Sequence, residues 1–266
     1  MITEENAMLT SKEITRKWEG IANTKANLPA GRCFLLAILA GMYIALGGLG
    51  ATLIQATAGA GLGKLLGACV FPTGLILVVM AGGELFTGNC LMAGPVLIGK
   101  CKVSGMLRNW LLVYFGNMLG GFLVAIIATA GGVLLSSGDA AVQLAMTIAK
   151  NKCQITFVDA LLKGIGCNIL VSGAVFIATG ADSAGSKGLC CVFPVMLFVL
   201  CGMEHCVANM YYIPTAMLMK NMPRYNVDGA GITFFGYFIS NMIPVTIGNI
   251  LGGAGLAAAY AGIHRE

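Results

Sequence analysis

Charge is what this sequence lacks most. Only 10% of its 266 residues are Asp, Glu, Lys or Arg, against about 25% in an average soluble domain. By contrast, 58% are hydrophobic, and the mean hydropathy is +0.86. The charged residues cluster, which leaves uncharged tracts at 33–63, 109–138 and 229–263 that are long enough to cross a bilayer as helices. The composition excludes a soluble globular fold and predicts an all-α membrane protein.

Metal-ligand and redox patterns are also missing. The ten cysteines form no Cys-x-x-Cys pair, and most lie in apolar tracts, where a buried thiol behaves as a small hydrophobic group. We therefore expect no metal site and no cofactor. His205 and Cys206 are neighbours in sequence and point apart on a helix, so they form no nucleophile and base pair. The protein is predicted not to be an enzyme.

The basic residues form no patch for nucleic acid. The net charge is +5, but the lysines and arginines are scattered over loops without interleaved aromatic residues, so no nucleic-acid partner is expected. The first 31 residues mix both signs of charge, which argues against a cleavable signal peptide. Ser11, Ile14, Trp18 and Ile21 form a helical stripe there. Residues 1–31 are thus predicted to be a cytoplasmic amphipathic segment on the membrane surface, with a solvated helix as the alternative.

Two of the predicted spans are broken by a charged residue. The apolar run 85–99 extends about 22 Å as a helix at about 1.5 Å per residue, which is too short for a hydrocarbon core of about 30 Å. It must share a crossing with the run before Glu84, and Glu204 interrupts a second crossing in the same way. We therefore predict six transmembrane helices with the second and fifth broken, over 33–60, 66–99, 109–136, 158–180, 188–219 and 229–262.

The two breaks belong to an internal repeat. The register Glu-x4-Asn-x10-Lys occurs twice, and a Gly-Asn-x-Leu-Gly-Gly motif follows it at 116–121 and again at 248–253. Each half contains three crossings, and an odd number places the second half upside down in the membrane. The pattern predicts two inverted repeats, 32–136 and 158–262, within a single transmembrane channel domain of residues 32–266.

The breaks indicate a pathway for anions. Backbone without helical hydrogen bonds cannot face lipid, so it packs in protein or lines an aqueous path. Half-helices beginning near Asn89 and Asn209 would direct free N–H groups and partial positive charge to the middle of the membrane. Glu84 and Glu204 are expected to accept hydrogen bonds from the exposed N–H groups and so structure the loops, with proton carriage as the alternative.

Residues near the breaks are the candidates for the path itself. His205 is the only histidine away from the tail, and its side chain can exchange a proton with an anion or donate to it, although a structural histidine is the alternative. Thr87 adds a hydroxyl at the other break. Phe71, Leu75 and Phe198 precede the breaks, and from their spacing core packing explains them better than a constriction does.

Three segments resemble the signatures of the formate/nitrite transporter family: 83–89 (GELFTGN), 166–171 (GCNILV) and 204–214 (EHCVANMYYIP). The resemblance implies an aquaporin-like fold, a homopentamer with one pore per protomer, and passage of small monovalent anions. Hydrosulfide is favoured by overall likeness, with formate or nitrite next. The alternative is an aquaporin-like channel for neutral solutes, but the two Asn-Pro-Ala loops expected of one are replaced by Thr-Gly-Asn and Val-Ala-Asn.

The same resemblance implies residue roles. It assigns the pore to His205, Thr87, Lys152 and Asn168, and the hydrophobic constrictions to Phe71, Leu75 and Phe198. Lys152 rests on the resemblance alone, because a lysine between the third and fourth spans otherwise indicates a solvated loop. The sequence departs from the family pattern at Ile169 and Phe176, where many members carry tryptophan. The resemblance therefore implies the channel but not its fine selectivity.

The distribution of basic residues predicts the orientation. With six spans in place, ten of the 16 lysines and arginines fall on the side that holds both termini. Because basic loops stay in the cytoplasm, both termini are predicted to be cytoplasmic. The protein is accordingly expected in the inner (cytoplasmic) cell membrane as a multi-pass protein, with the lipid bilayer as its surroundings.

Overall fold

The fold was analysed in a computed structural model that describes residues 8–264, so residues 1–7 of the predicted N-terminal segment and 265–266 of the predicted channel domain lie outside the described residues. The described range contains helices, turns and loops but no strand, which confirms the all-helical class. Five helices are long and apolar enough to cross a membrane: Ala30–Thr57, Gly61–Ala81, Val103–Ala130, Phe157–Gly180 and Gly236–Ile263. Ala184–Leu200 is a shorter apolar helix. The chain is an integral membrane protein.

Twelve α-helices are assigned over the described residues. They are α1 Ser11–Ala26, α2 Ala30–Thr57, α3 Ala60–Val70, α4 Thr73–Ala81, α5 Phe86–Asn89, α6 Ala93–Leu97, α7 Val103–Ala130, α8 Asp139–Cys153, α9 Phe157–Gly180, α10 Ala184–Leu200, α11 Cys206–Met219 and α12 Ile243–Ile263. A π-helical segment, Gly236–Met242, leads into α12. Short 3-10 turns lie at Cys90–Met92, Val133–Ser137 and Pro223–Tyr225.

The second apolar stretch has one irregular turn, at Phe71 and Pro72, before it reaches the predicted break. α3 ends at Val70 and α4 begins at Thr73, because Pro72 cannot donate a backbone hydrogen bond. α4 then ends at Gly82, whose φ of 80° is the left-handed conformation that glycine adopts without strain. The chain is non-helical from there to α5, so the predicted break at Glu84 is present. The sixth predicted span begins later than expected, because residues 226–233 form a loop.

The two amphipathic helices pack on the protein. The apolar stripe on α1 faces the protein, because Ile14 and Trp18 are buried against the rest of the chain. The stretch expected as a solvated loop before the fourth span is instead α8. Its buried side chains Val142, Met146 and Cys153 recur at helical spacing, a pattern that the sequence interpretation missed.

Glycines let the long helices approach closely in the two halves. α7 lies against α2 with Gly120 facing the carbonyl oxygen of Ile38, and α12 lies against α9 with Gly252 facing that of Ile165. A Cβ at either glycine would collide with the facing carbonyl. Small residues therefore set the distance between these helices, as in membrane proteins generally.

We predict that Gly252→Ala lowers stability strongly, by about 1 to 3 kcal/mol or more, because the neighbour is rigid backbone that cannot move aside. Gly255→Ala on the same helix is the matched control, since a Cβ there meets no heavy atom within 4 Å. Thermal unfolding in detergent measures the difference. Equal unfolding temperatures for the two variants would contradict the packing role.

The π-helical segment accommodates one extra residue in the second half. Gly105 on α7 packs against Ala26, and Gly236 packs in the same way against Cys153, at the ends of α1 and α8. Asn109 comes four residues after the first glycine, whereas Asn241 comes five residues after the second. A π turn contains one more residue than an α turn, so both contacts are kept despite the insertion.

Deletion of Ile239 should therefore be tolerated, because it converts the π turn to an α turn and restores the spacing of the first half. Deletion of Leu107, which lies between Gly105 and Asn109 and is similarly exposed (47% against 45%), should abolish the folded protein. Size-exclusion profiles and thermal unfolding of both variants in detergent test this expectation. Comparable losses would show that the π turn is not an accommodated insertion.

Candidate functional site

Thr87 and His205 meet where the two breaks approach each other. Thr87 lies in the first turn of α5, and His205 immediately precedes α11. Although 118 residues separate them, Thr87 Oγ1 is 2.9 Å from His205 Nε2, and both residues are buried. The structure thus brings together the hydroxyl and the imidazole that the sequence interpretation selected.

The helix cap fixes the direction of hydrogen bonding at this pair. His205 Nδ1 accepts a hydrogen bond from Ala208 N at 3.1 Å, so Nδ1 carries no proton. In a neutral imidazole the other ring nitrogen then holds the hydrogen, so Nε2–H donates to Thr87 Oγ1. The hydroxyl hydrogen of Thr87 remains available to a third group. The pair therefore offers a neutral donor rather than a cation.

Asn168 lies behind this pair, between α9 and α12. Its Nδ2 donates to the backbone oxygens of Thr87 at 3.2 Å and Asn249 at 2.6 Å. Ser172 Oγ donates to the same Thr87 oxygen. Asn168 is fully buried and lines neither of the cavities described next, so its contacts position Thr87.

A cavity of about 420 Å³, here the Lys152 cavity, opens on one side of the pair. His205 and Phe198 are among the residues that line it, together with three lysines and one carboxylate, Lys64, Lys152, Lys163 and Glu204. Lys152 is thus not in a solvated loop: it lies in the last turn of α8 and its side chain is 14% exposed.

A second cavity of about 300 Å³, here the Lys25 cavity, is lined by the other break. Gly83, Leu85 and Asn89 contribute to its wall, and α1 contributes Lys17, Trp18 and Lys25. Lys187 adds a third lysine, and none of the carboxylates between residues 8 and 264 lines this cavity. Both cavities are therefore positively charged.

Two phenylalanines line the Lys152 cavity beside His205. The rings of Phe71 and Phe198 meet edge to face at 5.6 Å between centroids, and Phe198 stacks on His205 at 5.8 Å. Leu75, the third predicted constriction residue, is buried in the core and lines neither cavity.

Each break contains a buried carboxylate paired with a lysine. At the first, Lys25 Nζ lies 2.6 Å from Glu84 Oε1, while Asn89 Nδ2 donates to Glu84 Oε2 at 2.7 Å. Asn109 contributes from α7: its Oδ1 accepts from Asn89 at 2.8 Å, and its Nδ2 donates to Glu84 Oε2 at 3.3 Å. The carboxylate is thus neutralised and held by three side chains.

The second break repeats this arrangement. Lys152 Nζ lies 2.9 Å from both oxygens of Glu204, Asn209 Nδ2 donates to Glu204 Oε2 at 2.7 Å, and Asn241 joins from the π-helical segment at 3.2 Å. The sequence interpretation found the glutamates and the first asparagine of each cluster but missed Lys25. It also missed Asn109 and Asn241, whose signal is an amide inside an apolar tract.

Asparagine amides accept from the freed backbone, a role that we expected the glutamates to have. Asn117 Oδ1 accepts from Phe86 N, and Asn249 Oδ1 accepts from Cys206 N, each at 2.9 Å. Phe86 and Cys206 are the first residues of the two half-helices. They lie three positions before Asn89 and Asn209, from which we expected the half-helices to start. The glutamates instead accept from side chains, as described above.

The chemistry available here is hydrogen bonding and charge. Between residues 8 and 264 no group of three or more His, Cys, Asp or Glu is placed to hold a metal. A buried neutral donor pair lies between two cationic cavities. This arrangement suits a small anion that leaves water.

Comparison with known proteins agrees with this geometry. The model of the family described as formate/nitrite transporter matches residues 12–262. The chain is 39% identical over 255 residues to a probable formate transporter of Methanothermobacter thermautotrophicus, covering 88% of this chain and 89% of the relative. It is 38% identical over 259 residues to the formate channel FocA of Haemophilus influenzae, covering 92% and 91%.

Solved structures share the fold. A pentameric formate channel with formate bound superposes with a TM-score of 0.79 at 35% identity, covering 88% of this chain and 96% of that one. An ion channel of the FNT family superposes with a TM-score of 0.82 at 25% identity, covering 96% and 98%. The relatives are channels and transporters, which confirms that the protein is not an enzyme. The chain belongs to the formate/nitrite transporter family.

Proposed function

We propose that this protein is a channel for small monovalent anions, with formate as its first candidate substrate. The observation that carries the proposal is the buried contact between Thr87 and His205, which lies between two lysine-lined cavities. Formate is ranked first because relatives and a superposed structure are named for it. Hydrosulfide, favoured by the sequence interpretation, and nitrite are the competing substrates.

In the proposed mechanism the site reduces the cost of moving a charge out of water. An anion at the narrow part between Phe71, Phe198 and the central pair loses hydration, and that loss is prohibitive without compensation. The free hydroxyl hydrogen of Thr87 donates to the anion, and Nε2–H of His205 keeps the threonine oxygen saturated as an acceptor. The anion passes as an ion that accepts a hydrogen bond from Thr87, or as a neutral acid after it takes up a proton from water in the cavity.

The same proposal includes the membrane topology. The pairs α3 with α4 and α10 with α11, each joined to its break, complete six crossings in two inverted repeats. The matching clusters around Glu84 and Glu204 support this symmetry, since each joins a lysine, a glutamate and two asparagines. We assign both termini to the cytoplasm, a location in the inner cell membrane and a homopentameric assembly.

Purified protein in proteoliposomes should take up formate, and we expect hydrosulfide and nitrite to compete with it, whereas glycerol should not enter. His205→Ala should change anion flux, since it removes both the partner of Thr87 and the cap on Ala208. His205→Asn is the control, because asparagine also caps helices. Glycerol flux without anion flux in the wild type would support the aquaporin-like alternative instead.

Replacement of the Thr87 hydroxyl tests the donor directly. Thr87→Val keeps the shape of the side chain but removes the hydrogen bond to a charged group, so formate uptake should fall by about tenfold or more. Thr87→Ser keeps the hydroxyl and should retain most of the flux. Initial rates at equal protein density measure this. Equal rates for Val and Ser would contradict the donor role.

A further inference from the structure

The ammonium group of Lys152 has two of its three N–H donors committed to a carboxylate. They are directed to the two oxygens of Glu204, each at 2.9 Å. The ring centroid of Tyr212 lies 5.6 Å from the ammonium nitrogen, and Asn241 donates to the backbone oxygen of Lys152 at 3.2 Å. An anion that used either committed donor would have to displace a buried carboxylate.

Because Lys152 is paired with Glu204, it adds nothing to the net charge of its cavity. Lys152 and Glu204 together are neutral, and Glu204 is the one carboxylate among the residues that line the cavity. The remaining positive charge comes from Lys64 on α3 and Lys163 on α9, which line the same cavity and are exposed. Within the described part of the chain no carboxylate lies within ion-pair distance of either one.

The main chain of both lysines is held by the fold, while their side chains are exposed. The carbonyl oxygen of Lys163 accepts a hydrogen bond from Glu204 N, so the residue sits beside the second break while its ammonium group faces solvent. Lys64 lies on α3, which leads to the constriction residue Phe71. Their ammonium groups are thus placed at the cavity with full charge and all their donors available.

We propose that Lys64 and Lys163 form the capture site for small monovalent anions in the Lys152 cavity, while Lys152 is a positioning residue for Glu204. This inference rests on the proposed anion channel function. Free lysines in a cavity raise the local concentration of anions and the rate of their arrival. The paired lysine holds the loop that carries His205.

The Lys25 cavity is built differently. Lys25 contacts a single oxygen of Glu84, which leaves two of its donors unused. Among residues 8–264 no aromatic ring lies over its ammonium group as Tyr212 lies over that of Lys152. Lys25 therefore keeps more donors for an anion than Lys152 does, so the paired lysine itself contributes to capture at this end.

The test is initial formate uptake into proteoliposomes at formate concentrations well below saturation, with ionic strength set by an impermeant salt. Lys64→Gln/Lys163→Gln should lower uptake by about two- to fourfold at about 10 mM ionic strength, where the Debye length is about 30 Å and charges at the cavity act almost unscreened. At about 300 mM the difference should fall below about 1.5-fold, because the Debye length is then under 8 Å.

Two further variants separate capture from general effects. Lys100→Gln/Lys102→Gln removes the same charge from exposed residues that line neither cavity, and its uptake should match the wild type at both ionic strengths. Lys152→Gln should lower uptake and the unfolding temperature at both ionic strengths alike, because it leaves the buried Glu204 unpaired.

Several outcomes would overturn the capture site: no loss in the Lys64 and Lys163 double variant, a loss of the same size at both ionic strengths, or an equal loss in the Lys100 and Lys102 control. A salt-dependent loss in Lys152→Gln with unchanged stability would return the capture role to Lys152. Wild-type protein without flux of formate, hydrosulfide or nitrite would instead defeat the proposed function, and thus the two failures are distinguishable.

Discussion

Backbone that leaves a helix inside a membrane protein must find its hydrogen-bond partners within the protein, and this constraint organises the molecule. Two half-helices begin in the interior, and each presents a free backbone N–H at its first residue. Asn117 and Asn249 satisfy those groups from the Gly-Asn-x-Leu-Gly-Gly motifs of α7 and α12. The same amides donate to the backbone oxygens of Glu84 and Glu204, so each break is held from both sides.

The two halves repeat each other in backbone structure but differ in the side chains at the breaks. The position of His205 before α11 corresponds to Leu85 before α5, and Thr87 corresponds to Val207. Two polar side chains therefore face each other where strict repetition would pair each with an apolar one. Near this pair Tyr114 Oη and Thr246 Oγ1 are 3.1 Å apart, and these residues occupy equivalent places in α7 and α12. The frame keeps its symmetry, and the contact between Thr87 and His205 departs from it.

The sequence predicted those parts of the fold that have a local chemical signature. A glutamate in an apolar run, and a second one in the same register, reveals the breaks directly. Contacts between distant segments had no such signature. In the sequence Lys25 is one lysine of an amphipathic helix, and only the fold places it beside Glu84. Lys152 was likewise assigned by family likeness, and its pairing with Glu204 depends on how α8 meets the second break. The capture role of Lys64 and Lys163 follows from that pairing.

The order of the ion-pair partners along the chain bears on how the protein is made. Lys25 precedes Glu84 by 59 residues, and Lys152 precedes Glu204 by 52. During synthesis each lysine therefore leaves the ribosome before the carboxylate it neutralises. When the broken segment enters the bilayer, its counter-ion is already present at the membrane surface on a completed helix. Each half can thus bring its acidic residue into the membrane without waiting for the other half.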